Sequence, residues 1–190
     1  MSGLWWDVAM RLERVRQLVG EVLLCGFVFV LLSGAFLALH YRPGGQVVYD
    51  GAYEPLRGVP MSGAYESVLR IGFEVPGGLL VRRWHHDSLV LLGLGTVVWA
   101  LLGRYRYALT VLALGAIAGL SGYASADDVL SGTPFAAVAI PWWYALHILA
   151  TAAMGVVLLV SSRREAAQQP RTLPFATATV GVIILATLLI

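Results

Sequence analysis

The chain has no lysine, one cysteine and four histidines in 190 residues. A single thiol, Cys25, excludes an intrachain disulfide and any paired-cysteine CxxCH attachment site. Charge is scarce as well. Only 13% of residues are charged, about half the quarter that is usual in soluble domains. All 13 cations are arginine, and against 11 acids they leave a net charge of +2, too small to argue for a nucleic-acid partner. What remains is apolar: 58% of residues are hydrophobic and the mean hydropathy is +0.77. That balance suits a bilayer.

Five apolar runs, at 18–41, 77–102, 107–123, 135–160 and 173–190, approach the roughly 20 helical residues needed to cross a membrane. They lack the alternation of barrel strands, so the expected fold class is all-α integral membrane. The first sixteen residues open with Trp5 and Trp6 and mix charges with apolar residues at helical spacing. This reads as an amphipathic helix in the membrane interface, not as a cleaved signal.

Arginines sort among the connections. The N-terminal segment carries Arg11, Arg14 and Arg16. The second connection carries Arg104 and Arg106, and the fourth carries Arg163, Arg164 and Arg171. The first and third are acidic on balance, with Asp50, Glu54, Glu66 and Glu74 in one and Asp127 and Asp128 in the other. The positive-inside rule then expects a multi-pass protein of the cytoplasmic membrane with its N-terminus in the cytoplasm.

His85 and His147 lie near the outer starts of the second and fourth runs. Those runs cross in the same direction, so the two imidazoles share a depth. An ionisable side chain within a membrane is costly and marks a functional candidate. Two histidines on two helices can hold one haem iron from both sides; alternatively each makes an ordinary interhelical hydrogen bond. Gly34 and Gly122 sit at a similar level and permit close backbone approach to a flat ligand. Arg82, one turn before His85, either pairs with a haem propionate or snorkels to lipid headgroups.

At this point the residues resemble a family. LLSGAFLALHYRP at 31–43, GGLLVRRWHHDS at 77–88, LSGYASADD at 120–128 and YALHILATAA at 144–153 resemble, in order, the first four helices of the cytochrome b family of quinol–cytochrome c and plastoquinol–plastocyanin oxidoreductases. The N-terminal WWDVAMRLERV is similar to the short interfacial helix of its smaller members. The resemblance implies a four-helix haem-binding bundle over 17–162, preceded by the interfacial helix at 1–16 and followed by a linker and fifth transmembrane helix at 163–190. In the family two haems are held by histidine pairs 14 residues apart on the second and fourth helices. Fourteen residues are close to four turns and span about 21 Å, presenting one face at two depths.

The sequence departs from that pattern. Trp99 stands 14 residues after His85, and Ser161 stands 14 after His147. Of the glycine pairs, Gly20 accompanies Gly34, but Ala108 replaces the partner of Gly122. The expectation is one bis-histidine b haem near the outer side, with Arg82, Gly34 and Gly122 around it. The inner space is left to Trp99 and its neighbours, to lipid or to a quinone. His86 is kept as the alternative to His85. His40 reads as interfacial, Glu21 as solvated at the interface, Asp87 as a solvated acid at a helix start, and Cys25 as a small buried residue.

The family's Pro-Glu-Trp-Tyr motif and C-terminal half are missing, and the third helix ends in Ala126-Asp127-Asp128. The resemblance therefore implies a non-autonomous electron-transfer subunit of a membrane quinone/quinol oxidoreductase. Expected partners are a chain supplying the second half, a c-type cytochrome or iron–sulfur subunit, and membrane lipids. The competing expectation is a degenerate cytochrome b with a structural or assembly role.

Overall fold

The computed structural model describes residues 2–126 and 133–187. The acidic pair Asp127 and Asp128 lies outside the described residues. The elements run α1 (Ser2–Ala38), β1 (Gln46–Val48), β2 (Pro60–Ser62), α2 (Gly63–Phe73), α3 (Gly78–Trp99), α4 (Tyr105–Ala126), α5 (Ile140–Gln168) and α6 (Leu173–Thr187). Helix makes up 81% of the structure, and there is no sheet core among the described residues.

Among the described residues, three stretches are long and apolar enough to cross a membrane: Met10–Ala38, Gly78–Ala126 and Ile140–Gln168. The second contains Gly103 at φ 96° and ψ 7°, a left-handed conformation that divides it into α3 and α4. The chain is a multi-pass membrane protein.

Several expectations are corrected. The interfacial helix at 1–16 is not separate from the first span; α1 runs unbroken from Ser2 to Ala38. No proline interrupts those residues, so nothing stops helical hydrogen bonding once it starts. Likewise α5 continues to Gln168, past the expected boundary at 162. The fifth helix, α6, has 15 described residues, about 22 Å of helix.

The first connection is more than a loop. β1 and β2 form an antiparallel hairpin pairing Val47 with Met61. Ser62 then caps α2 by accepting from the Tyr65 amide at 3.1 Å. α2 buries Ala64, Val68 and Ile71, one face at i, i+4 and i+7. On α2, Arg70 gathers Glu66, Glu74 at 2.7 Å and Asp50 at 2.5 Å.

The described chain forms two compact units: Met1–Phe29, Ser88–Gly115 and Ala152–Ile190 in the first, and Val30–Asp87 and Ala116–Thr151 in the second. In the first, Leu23, Phe27, Leu92, Val111, Met154 and Leu158 are buried. Phe27 packs over Gly155, where an added Cβ would come within 2.7 Å of its ring. Glu21 is buried, not solvated: it accepts from Arg171 at 2.7 Å and from Ser162 at 2.9 Å. A carboxylate withdrawn from water needs such donors. Cys25 is exposed, not buried, because it lies off the α1 stripe of Leu23, Phe27 and Val30.

In the second unit Tyr41 packs on Tyr144 with ring centroids 5.0 Å apart, and its hydroxyl donates to the Ser125 carbonyl. Burial pushes the phenol up to about 12. The neutral form is thus favoured by folding. Stability from Tyr41 is complete below the unfolded value near 10 and is lost as pH rises through about 12. Tyr41→Phe should cost about 0.5–1.5 kcal/mol at neutral pH and reduce the alkaline loss, read from thermal unfolding between pH 7 and 11.

Candidate functional site

His85 sits seven residues into α3 and His147 seven residues into α5, counting from Gly78 and Ile140. Both belong to the second unit, and their ring centroids are 6.2 Å apart at an interplanar angle of 66°. An imidazole nitrogen lies about 2.0–2.1 Å from a bound metal and roughly 1 Å from its own ring centre. Two rings on opposite sides of one ion therefore have centroids about 6 Å apart, as here.

Each ring is fixed through one nitrogen. His85 Nδ1 lies 3.0 Å from Ser33 Oγ and 3.2 Å from the Val30 carbonyl, to which the Ser33 hydroxyl itself donates at 3.0 Å. His147 Nδ1 lies 2.7 Å from the Ala118 carbonyl. A carbonyl accepts only, so Nδ1 of His147 carries the proton and Nε2 keeps its lone pair. Protonated Nδ1 donating to backbone, with Nε2 left for a metal, is the usual second contact of metal-binding histidines. Among the described residues neither Nε2 has a hydrogen-bond partner.

The glycines expected at this level back the imidazoles. A Cβ on Gly34 would stand 3.0 Å from Cε1 of His85; one on Gly122 would stand 2.8 Å from Nδ1 of His147. Arg82 is half-buried and makes no ion pair among the described residues, while Arg83 pairs with Asp87 at 3.4 Å. Asp87 is thus partnered rather than simply solvated. His86 is exposed, and its ring edge meets His85 at 6.4 Å; it is His85 that faces His147. His40 is exposed and bonds the Phe36 carbonyl at 3.1 Å.

Fourteen residues further along α3 and α5, Trp99 is 0% exposed and Ser161 is buried. Trp99 presents its ring to Gly20, as His85 presents its ring to Gly34: a Cβ on Gly20 would lie 3.3 Å from Nε1. Ala108 is also fully buried, and Tyr107 packs on Trp99 at 6.3 Å. Glu165 closes this region, paired with Arg104 at 2.7 Å and Arg16 at 3.9 Å. The space is filled by the chain's own side chains.

Sequence reasoning did not anticipate Ser33 or the Val30 and Ala118 carbonyls. Ser33 carried a signal, a hydroxyl beside Gly34 in an apolar run. The carbonyls carried none, since every residue has one. Glu165, a lone acid among arginines, was also passed over.

No protein-family profile matches the chain. Among curated relatives, the chain is 39% identical over 128 residues to the cytochrome bc1 complex cytochrome b subunit of Corynebacterium diphtheriae. It is 38% identical over 129 residues to that of Streptomyces coelicolor, and 38% over 130 to that of Mycobacterium leprae. These matches cover 60–61% of this chain but only 23–24% of the relatives, so the chain spans about a quarter of their length. Over that stretch the chain is similar to the cytochrome b subunits of bc1 complexes.

Proposed function

We propose that this chain is an electron-transfer subunit of a membrane quinone/quinol oxidoreductase, carrying one b haem between His85 and His147. The observation that supports this most is the pair of rings 6.2 Å apart with both Nδ1 atoms tied back and both Nε2 atoms without a hydrogen-bond partner among the described residues. When bound, haem supplies a reversible one-electron centre. The residues around it orient it and set its surroundings. The Val30 and Ala118 carbonyls hold the ring tautomers and raise the basicity of Nε2. Gly34 and Gly122 let α1 and α4 approach the rings, and Arg82 offers a cation to a propionate.

Trp99 and Ser161, which are buried at the second level and offer no imidazole, support one haem rather than two. The arginine-rich connections support an N-terminus in the cytoplasm and a histidine pair toward the outer side. The redox partners are a quinone and a docked c-type cytochrome or iron–sulfur subunit. The competing structural role draws on the same loss of the second level. The intact surroundings of His85 and His147 weigh against it.

Membranes holding the chain in its native complex should show haem reduction on adding a quinol, and none with His147→Ala. Haem that responds to neither quinol nor the partner cytochrome would leave only the structural role. Gly122→Ala should displace the His147 ring and weaken haem retention roughly 10–100-fold, read as the rate of haem loss to an apoprotein acceptor.

A further inference from the structure

Arg16 Nε, Glu165 Oε2 and Gln169 Oε1 are buried, belong to the first unit, and have no hydrogen-bond partner among the described residues. The same three residues line one cavity of about 10 Å³, together with Glu13, Gln17 and Gln168; its walls come from α1 and the end of α5. A polar group withdrawn from water without a partner costs free energy, and native interiors rarely leave one so. A cavity of that size has room for one water.

Other polar groups of the walls are already engaged. The Gln17 side chain accepts from Arg14 at 3.1 Å and donates to the Gln169 carbonyl at 2.8 Å. Gln169 Nε2 donates to Glu13 at 2.7 Å, which leaves its Oε1 as an acceptor. Glu165 Oε1 accepts from Arg104 at 2.7 Å. The same oxygen stands 3.9 Å from Arg16 Nε, too far for a direct hydrogen bond. A donor and a carboxylate held at that separation are commonly joined through a water.

We infer that this cavity is the binding site of one ordered water, which accepts from Arg16 Nε and donates to the Glu165 carboxylate and to Gln169 Oε1. The donor set chooses the occupant. Two acceptors and one donor match the two hydrogens and a lone pair of water. A metal cation would meet the Arg16 guanidinium, and a halide would meet two oxygens that carry no hydrogen. Glu165 is only 4% exposed, whereas Glu13 and Gln168 in the same walls are exposed. The water therefore links a buried carboxylate to the surface. The site is separate from the histidine pair and stands whether or not the chain holds haem.

The test uses the full chain in detergent, isotope-labelled at nitrogen, with magnetisation transferred selectively from water to the Arg16 Nε proton. That resonance is assigned by its loss in Arg16→Lys. A rotating-frame Overhauser peak with the sign of dipolar transfer is expected, because a held water stays beside the proton. Gln169→Leu removes one of three anchors and should lose the peak. A density map of the native complex that resolves ordered water needs no variant, and should show a peak within about 3.2 Å of Arg16 Nε, the Glu165 carboxylate and Gln169 Oε1. Direct contact between Arg16 and Glu165 with no density between them overturns the inference. So does a magnetisation peak with the sign of proton exchange alone, or a dipolar peak unchanged in Gln169→Leu. Density that bromide replaces would make the occupant an anion and would overturn it too.

Discussion

His85→Ala and His147→Ala should each leave the chain without haem, while His86→Ala should keep it. The three residues are chemically alike, so the contrast rests on placement. His85 and His147 face each other at 6.2 Å, and each has one nitrogen committed to a carbonyl or hydroxyl of a neighbouring helix. His86 is exposed. Removing an axial ligand deletes a metal bond, whereas disturbing only the group behind a ligand typically costs 10–100-fold in affinity. The alanine variants should therefore lose more than Gly122→Ala does. Absorbance of the purified variants in the reduced state reads the outcome. Loss in His86→Ala together with retention in His85→Ala would move the ligand by one residue.

Trp99→Ala should be the most destabilising single substitution in the first unit, at about 3–5 kcal/mol. The indole is 0% exposed, lies against Gly20, and stacks near Tyr107. Nothing of similar size is placed to collapse into the void, so the cavity cost adds to the lost contacts. Denaturant unfolding in detergent, followed by helical circular dichroism, measures it. Haem content should stay the same, because the histidine pair and its hydrogen bonds involve only residues of the second unit. A loss below about 0.5 kcal/mol, the range of exposed positions, would mean that Trp99 does not fill the second level. Loss of haem in this variant would tie the two levels together.

Much of this was legible in the sequence. Long apolar runs announce membrane helices because the bilayer imposes a length, and the 14-residue register from His85 to Trp99 carries over directly to helix geometry. Gly34 and Gly122 were legible as close approaches, though not that imidazole rings would be what they back. Other features were not. Cys25 and Leu23 look equivalent in a helix apolar all round, and only packing decides which face turns inward. Glu21 read as solvated because its partner Arg171 is 150 residues away in the chain. The hairpin and α2 were missed for a different reason. Their strands are three residues each, too short to show alternation, and α2 has its apolar face at i, i+4 and i+7 inside a stretch that reads as a polar connection. The unbroken α1 shows the limit of boundaries drawn from composition: an amphipathic start passes into an apolar span with no residue to stop it.

Haem content per polypeptide, by pyridine haemochrome against amino-acid analysis of the purified chain, bears on the core of this account. One b haem per chain is the expected value, with Trp99 and Ser161 occupying the second level. Two haems would contradict the filled second level, and none would contradict the histidine pair.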